Sequence, residues 1–125
     1  MAAAAGETEV KPLLKMLMSV DLFDIEQGGV PENPESFAIL VEALVGEEGP
    51  AADTFAVVVL TPDRVAAQLG DRAALSGRGL LLMPRYDYAV LRATIQGWVD
   101  RCEAPTWEEA AALLCRHMTW EFDVP

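Results

Sequence analysis

The side chains that could do chemistry in this sequence are two pairs of carboxylates and a single histidine. Glu108 with Glu109, and Glu121 with Asp123, have the residue types of a general acid and its base. The helix dipole also attracts carboxylates to the start of a helix, which is sufficient to explain the first pair. His117 is the only histidine, and a lone histidine is weak evidence for a metal site. We therefore predict no catalytic residue, no cofactor and no metal ion.

The two cysteines, Cys102 and Cys115, favour a structural interpretation. Both fall in segments with a helical pattern and apolar neighbours, where cysteine behaves as a small buried hydrophobic residue. One pair in a chain of this length does not resemble the disulfide framework of a secreted domain. No apolar run reaches membrane-spanning length, and the first residues lack the basic region of a signal peptide. We expect a cytoplasmic protein.

The charge balance of the chain is strongly acidic and uneven. Twenty Asp and Glu oppose nine Lys and Arg, a net charge of −11. Residues 1–53 hold 11 acids against two Lys, a net of −9, whereas residues 54–125 hold nine acids against seven Arg, a net of −2. Such a chain repels phosphate backbones and anionic membranes, so we predict neither nucleic acid nor membrane as a partner. Its natural complement is a basic protein surface.

A continuous β-favouring run at residues 54–60 predicts the strand around which the sheet is organised. Because the run has no polar alternation, we expect a central strand buried on both faces. Thr61 then offers a cap and Pro62 the first position of a short helix, for which Gly70 supplies the stop.

Two strands are predicted before this central strand. Alternating apolar residues in 14–22 indicate a half-buried first strand whose even positions share one face: Leu14, Met16, Met18, Val20 and Leu22. The odd positions of 37–45 line one face of a second strand: Phe37, Ile39, Val41, Ala43 and Val45. The short acidic link at residues 46–50 favours antiparallel pairing of the second strand with the central one, completing a three-stranded meander.

The remainder of the chain predicts one more strand and two more helices. Residues 80–83 are a fourth strand candidate, and apolar residues recur at helical spacing from Tyr88 to Cys102. Thr106 and Glu109 have the spacing of a capping box that starts a third helix. We predict an α+β fold, β-β-β-α-β-α-α, with a mostly antiparallel four-stranded sheet and helices packed on one face. Residues 1–12 would be a flexible tail and residues 13–125 a single domain.

Three short patches in this chain resemble a known family. They are the strand and Thr-Pro turn at residues 55–62, Thr106-Trp-Glu-Glu109, and Arg116 followed by Trp120-Glu-Phe-Asp123. In this order they are similar to the immunity protein 8 family of bacterial polymorphic toxin systems, from about Leu14 onward. The chain departs from the family's usual pattern at Asp63-Arg-Val65, where an aromatic is common, and at its last three residues.

The resemblance implies a non-enzymatic, cytoplasmic immunity protein, encoded beside a secreted toxin, that binds and neutralises this toxin. Two alternatives stay open: a small α+β enzyme or ligand-binding domain, and an accessory subunit of a constitutive complex. A toxin gene directly upstream would favour the immunity protein, whereas neighbouring metabolic genes would favour the enzyme. The sequence makes no prediction about oligomeric state.

The docking surface is predicted in the acidic first half of the chain. Six carboxylates in segments rich in Gly and Pro are expected to be exposed and to bind the partner: Asp24, Glu26, Glu32, Glu35, Glu47 and Glu48. A basic toxin surface is expected, and a nuclease is one enzyme that needs such a surface. Trp107 and Trp120 are predicted to anchor the last helix onto the sheet.

Overall fold

The computed structural model describes residues 9–122, so that residues 1–8 of the predicted tail, and residues 123–125 with Asp123, lie outside the described residues. The described chain forms five strands: β1 (Leu13–Met18), β2 (Ala38–Gly46), β3 (Asp53–Leu60), β4 (Leu80–Leu82) and β5 (Thr119–Trp120). It also forms three α-helices: α1 (Val65–Leu69), α2 (Tyr88–Asp100) and α3 (Trp107–Leu114). The α+β class is confirmed, with one strand more than predicted.

The sheet is a three-stranded antiparallel meander extended by two short strands. Its order is β1-β2-β3-β4, with the first three strands antiparallel as predicted. β4 runs parallel to the end of β3, with Leu80 opposite Val58. β5, which was not predicted, pairs with the start of β3 and places Trp120 opposite Phe55. The central strand therefore carries β2 on one edge and both short strands on the other.

The helices α2 and α3 cover one face of the sheet, and the hydrophobic core lies between these helices and the strands. The core-facing residues of β2 and β3 alternate along each strand, and the odd residues of 37–45, predicted to share one face, form the buried face of β2. Leu91, Ile95 and Val99 of α2 complete this core together with Ala111 and Leu114 of α3. The prediction that β3 is buried on both faces is wrong, because Thr54, Ala56 and Val58 on its other side are only half-buried.

The side chains of β1 face differently from the prediction because the strand contains a bulge. The pairing register with β2 shifts between Leu14 and Met16, which makes Lys15 an extra residue. One extra residue reverses the face of every side chain that follows. Leu14 and Leu17 pack toward the core, whereas Met16 and Met18 are exposed. The expectation that the even-numbered residues of 14–22 share one buried face is therefore wrong.

The hydroxyl of Thr61 links two strands and does not cap a helix. Its Oγ1 accepts from the Phe37 backbone N–H (3.0 Å) and donates to the Phe37 carbonyl (3.3 Å). Because this side chain is buried at the end of β3, its oxygen is used across the sheet, and the predicted cap is wrong. The chain continues through a 3₁₀ turn, Pro62–Arg64, into α1, and Gly70 after α1 has a positive φ of 58°.

Both long helices start at a residue whose side chain caps the helix; Thr106 was predicted in this role, whereas Asp87 was not. The Asp87 side chain accepts from the Val90 N–H (3.2 Å), and Thr106 Oγ1 accepts from the Glu109 N–H (3.1 Å). Each bond satisfies one of the N–H groups left open at a helix start. In residues 9–122, no helix has the length and apolar character needed to cross a membrane.

Contacts of the chain with its domain begin before β1. Val10 exchanges two backbone hydrogen bonds with Ala104, of 2.6 and 3.2 Å. This bridge ties the described start of the chain to the segment between α2 and α3. The division into a tail of residues 1–12 and a domain of residues 13–125 stays a prediction.

Candidate functional site

The six carboxylates predicted to bind a partner divide between opposite ends of the sheet. Residues 24–35 belong to the connection from β1 to β2, whereas Glu47 and Glu48 lie in the turn from β2 to β3. Since β1 and β2 are antiparallel, these connections leave the sheet at opposite ends. The nine residues of β2 separate them by about 27 Å at the usual rise per residue. The acidic surface therefore has two parts, which we call the loop end (residues 24–35) and the turn end (residues 46–50).

The backbone of the loop end is tightly wound. Asp24 has a φ of 46°, the only positive value at a non-glycine residue in the described chain, and its carbonyl accepts from the N–H groups of Gln27 and Gly29 (both 3.0 Å). A Cβ on Gly29 would lie 1.8 Å from the Phe23 carbonyl oxygen, so only glycine allows this close approach. Ile25 is buried and fixes the turn to the core. The loop end therefore has a defined shape.

Glu26 differs from the other five predicted carboxylates because its side chain is engaged within the protein. Its Oε2 accepts from the Leu17 backbone N–H (3.1 Å) and lies 3.5 Å from Arg92 Nη1. Leu17 belongs to β1, an edge strand whose outward N–H groups could otherwise pair with another chain. Glu26 thus links β1 to α2, whereas Asp24, Glu32, Glu35, Glu47 and Glu48 are exposed.

Glu32 borders an open cavity of about 390 Å³ at the loop end. Asp21 lines the same cavity, and its Oδ2 accepts from the Leu40 N–H (2.7 Å) at the edge of β2. The Glu35 N–H is held by Asn33 Oδ1 (3.0 Å), which keeps the backbone of this segment in a turn. The carboxylates of the loop end therefore project from an ordered backbone.

A small polar network closes this cavity on the side of the 3₁₀ turn. Ser36 Oγ donates to Asp63 Oδ2, and Arg64 Nε donates to Ser36 Oγ (3.0 Å). The hydrogen bond from Ser36 holds the pKa of the exposed Asp63 carboxyl below its ordinary value, and Thr61 and Arg64 act in the same direction. Arg64 also donates to the Ser36 carbonyl (3.3 Å), so its guanidinium is committed to this network.

At the turn end, Lys15 fixes the backbone and leaves the glutamates exposed. Its ammonium donates to the carbonyl oxygens of Gly49 and Ala51, at 2.6 Å for Ala51. Glu47 and Glu48 line an open cavity of about 350 Å³ whose wall includes Asp53 and Trp107. The bulge in β1 thus positions a cation that orders the acidic turn.

A carboxylate beside this cavity joins the two predicted anchor tryptophans. Asp53 Oδ2 accepts from Trp107 Nε1 (2.8 Å) and from Trp120 Nε1 (3.0 Å). Phe55 stacks with Trp120, with ring centroids 6.1 Å apart, and meets Trp107 edge-on at 6.4 Å. Both tryptophans therefore lie against β3 at the two ends of the α3 segment, as predicted. The sequence gives no signal for Asp53, because its partners are 54 and 67 residues away.

The carboxylates first considered for catalysis lie at a helix start or bond to the backbone. Glu108 and Glu109 are exposed in the first turn of α3. Glu121 Oε1 accepts from the Thr54 N–H (2.7 Å), while its proposed partner Asp123 lies outside the described residues. In residues 9–122, no three His, Cys, Asp or Glu side chains are grouped so that they could hold a metal ion.

His117 and the cysteines lie around α2 and α3. The imidazole stacks on Trp98 with ring centroids 4.5 Å apart, and burial, followed by the charges of Arg101 and Arg116, lowers its pKa below 6.5. Cys102 is buried, as predicted, and burial raises the pKa of its thiol. Cys115 is half-buried, and neither cysteine forms a disulfide.

One comparison with known proteins identifies a family. A family model described as immunity protein 8 matches residues 14–124, which include both acidic ends of the sheet and all five strands except Leu13. No curated protein matches the chain, and no solved structure matches it.

Proposed function

The chain belongs to the immunity protein 8 family, and on this premise we propose that it binds a cognate secreted toxin and neutralises it in the cytoplasm of the bacterium that makes both. The family match over residues 14–124 is the observation that carries this proposal. A family of immunity proteins implies a toxin as partner. Neutralisation would be stoichiometric, without turnover by the immunity protein itself.

The docking surface we propose includes the loop end and the turn end of the sheet. Asp24, Glu32, Glu35, Glu47 and Glu48 are exposed there, on backbone segments held by the bonds described above. Because these backbone bonds form before binding, little backbone entropy is lost when a partner binds. Clustered negative charge also increases the rate of encounter with a basic surface. We assign Glu26 a positioning role within this surface, since it is bonded to β1 and α2.

A nuclease is the toxin class that this surface fits best. Nucleases hold phosphates with Lys and Arg, and a protein with a net charge of −11 can occupy the same basic channel. Carboxylates about 27 Å apart at the two ends of β2 would reach both ends of such a channel.

The proposal is tested by protection and by binding kinetics. The chain is co-expressed with the toxin encoded immediately upstream, and cell survival is measured. Two variants reverse charge at one end each, Glu32→Lys with Glu35→Lys and Glu47→Lys with Glu48→Lys. The control, Asp71→Lys with Asp100→Lys, makes the same charge change on exposed residues of the second half.

We expect wild type and control to protect, and each reversed end to slow association with the toxin at least about tenfold at low salt, with a smaller difference at high salt. The immunity function would be contradicted if the wild-type protein failed to protect cells, or if the neighbouring genes were metabolic genes and not a toxin gene. Equal association rates for all variants would show that the acidic ends only solubilise the protein.

A further inference from the structure

Large hydrophobic side chains are exposed mainly along β1 and the loop that follows it. Six of the nine in the described chain lie within residues 13–30: Leu13, Met16, Met18, Val20, Phe23 and Val30. Single exposed apolar residues are ordinary on protein surfaces, but a continuous group of them marks an interaction site. We call the first five of these residues the apolar strip.

The pairing register places Leu13, Met16 and Met18 of the apolar strip on the open face of the sheet. Leu13 lies opposite Gly46 beside the turn end, Met16 lies opposite Leu44, and Met18 lies opposite Glu42. Val20 and Phe23 follow β1 in the connection that leads to the loop end. Leu44 and Glu42 are half-buried and are not part of the core under the helices. The strip therefore runs from one acidic end of the sheet to the other.

Phe23 is the most exposed of these side chains, at 93%. Its backbone is not free to fold the ring inward, because Gly29 packs against its carbonyl, the Asp24 turn follows it, and Ile25 is buried two residues later. An aromatic ring held in water by an ordered loop loses little conformational freedom when it enters a pocket. Such rings are frequent energetic centres of protein interfaces.

We propose that the apolar strip is the centre of the toxin interface, with Phe23 inserted in an apolar pocket of the toxin and the two acidic ends forming the rim. This inference rests on the proposed function. An interface of standard size buries about 800 Å² per partner, a patch about 30 Å across, which matches the span of about 27 Å between the ends. An apolar centre with a polar rim is the usual arrangement of such interfaces.

The charge of the protein selects the occupant of this surface. Two copies of a chain with net charge −11 would bring the same carboxylates face to face, and like charges across an interface oppose association. A toxin with basic residues around an apolar pocket meets the same surface with attraction at the rim and burial at the centre. We therefore commit to the toxin and not to a second copy.

The experiment measures binding of the full chain to the purified toxin domain encoded immediately upstream. Phe23→Ala and Met18→Ser are compared with Phe122→Ala, which removes an aromatic ring of 60% exposure at the other end of the chain. We expect Phe23→Ala to weaken Kd at least about 30-fold, through faster dissociation at all salt concentrations. Met18→Ser should weaken Kd about fivefold or more and Phe122→Ala by less than about threefold. Both strip variants should melt within a few degrees of wild type, because their side chains are exposed.

Toxin binding by Phe23→Ala and Met18→Ser within about threefold of wild type would overturn the inference while leaving the immunity function standing. A wild-type chain that sediments as a dimer, and becomes monomeric on Phe23→Ala, would assign the strip to contact between copies and would also overturn it. If wild type itself neither binds nor neutralises the toxin, the proposed function fails, and this inference fails with it.

Discussion

Replacing Asp53 by alanine removes the acceptor that joins Trp107 and Trp120. Both indole N–H groups donate to the same carboxylate oxygen, at 2.8 and 3.0 Å. Trp107 is the first residue of α3, and Trp120 lies in β5, opposite Phe55 near the start of β3. The carboxylate therefore ties the last helix and the last strand to the sheet. We expect Asp53→Ala to destabilise the protein without changing its fold.

The magnitude follows from the two hydrogen bonds. A bond to a charged group contributes about 1.5 to 3 kcal/mol, and we take the low end because all three side chains are only partly buried. Two bonds then give about 3 kcal/mol in the free energy of unfolding. For a domain of this size, 1 kcal/mol corresponds to about 4 °C, so Tm should fall by about 12 °C. Asp53→Asn keeps an oxygen that can accept both bonds but removes the negative charge, so it should lose roughly half as much.

The assay is thermal unfolding followed by circular dichroism, with Asp71→Ala as the control. Asp71 is exposed, and its replacement removes the same charge without removing either indole acceptor. The control should melt within about 1 °C of wild type. If Asp53→Ala and Asp71→Ala have the same Tm, the Asp53 carboxylate does not stabilise the packing of the two tryptophans and the reasoning is refuted.

Two further predictions concern Trp120 and His117. Trp120→Ala removes the stacking on Phe55 and one hydrogen bond to Asp53. Because the ring is half-buried, we expect the free energy of unfolding to fall by about 2 to 3 kcal/mol, less than for a fully buried aromatic. An unchanged Tm with lost toxin binding would show that Trp120 is a binding residue. The pKa of His117 is lowered in the folded protein. Between that lowered pKa and 6.5, the unfolded chain therefore binds more protons than the folded chain. The stability that this residue contributes is complete above pH 6.5 and declines as the pH falls. The Tm difference between wild type and His117→Asn should therefore shrink from pH 7.5 to pH 5.5, and a constant difference would contradict the assignment.

The elements that the sequence predicted well are those whose patterns are long. β2 and β3 are β-favouring over nine and eight residues, and α2 carries its apolar stripe over three turns, so the local pattern was enough to predict these elements. The continuous apolar run of β3 did not indicate that only one of its faces is fully buried. β5 has only two residues, and its pairing with Phe55 depends on contacts 65 residues away in sequence. Thr61 was misassigned for a related reason: its hydroxyl finds Phe37 across the sheet, and no local pattern indicates this partner.

The acidic segments were predictable, but their arrangement was not. Gly, Pro and carboxylates correctly indicated exposed connections at residues 24–35 and 46–50, because such residues cannot be buried without cost. The antiparallel pairing that places them at opposite ends is a property of the whole sheet. The bulge at Lys15 also escaped prediction, and by reversing the face of Met16 and Met18 it turned an expected core stripe into an exposed one.

The negative charges at the two ends of the sheet and the apolar strip between them have opposite effects on association. An exposed row of Met, Val and Phe side chains invites association with other copies of the chain, since burial of each ring or chain contributes roughly 1.5 to 3 kcal/mol. Negative charge at both ends of this row makes copies repel one another, because the row cannot be covered by a second copy without bringing carboxylates together. In the interface we propose, a basic partner removes that repulsion and adds attraction. Charge would then discriminate between a second copy and the toxin, and the apolar contacts would set the lifetime of the complex. Lys15 connects the two functions: as the extra residue of the bulge it turns Met16 and Met18 outward, and through its ammonium it fixes the acidic turn beside them.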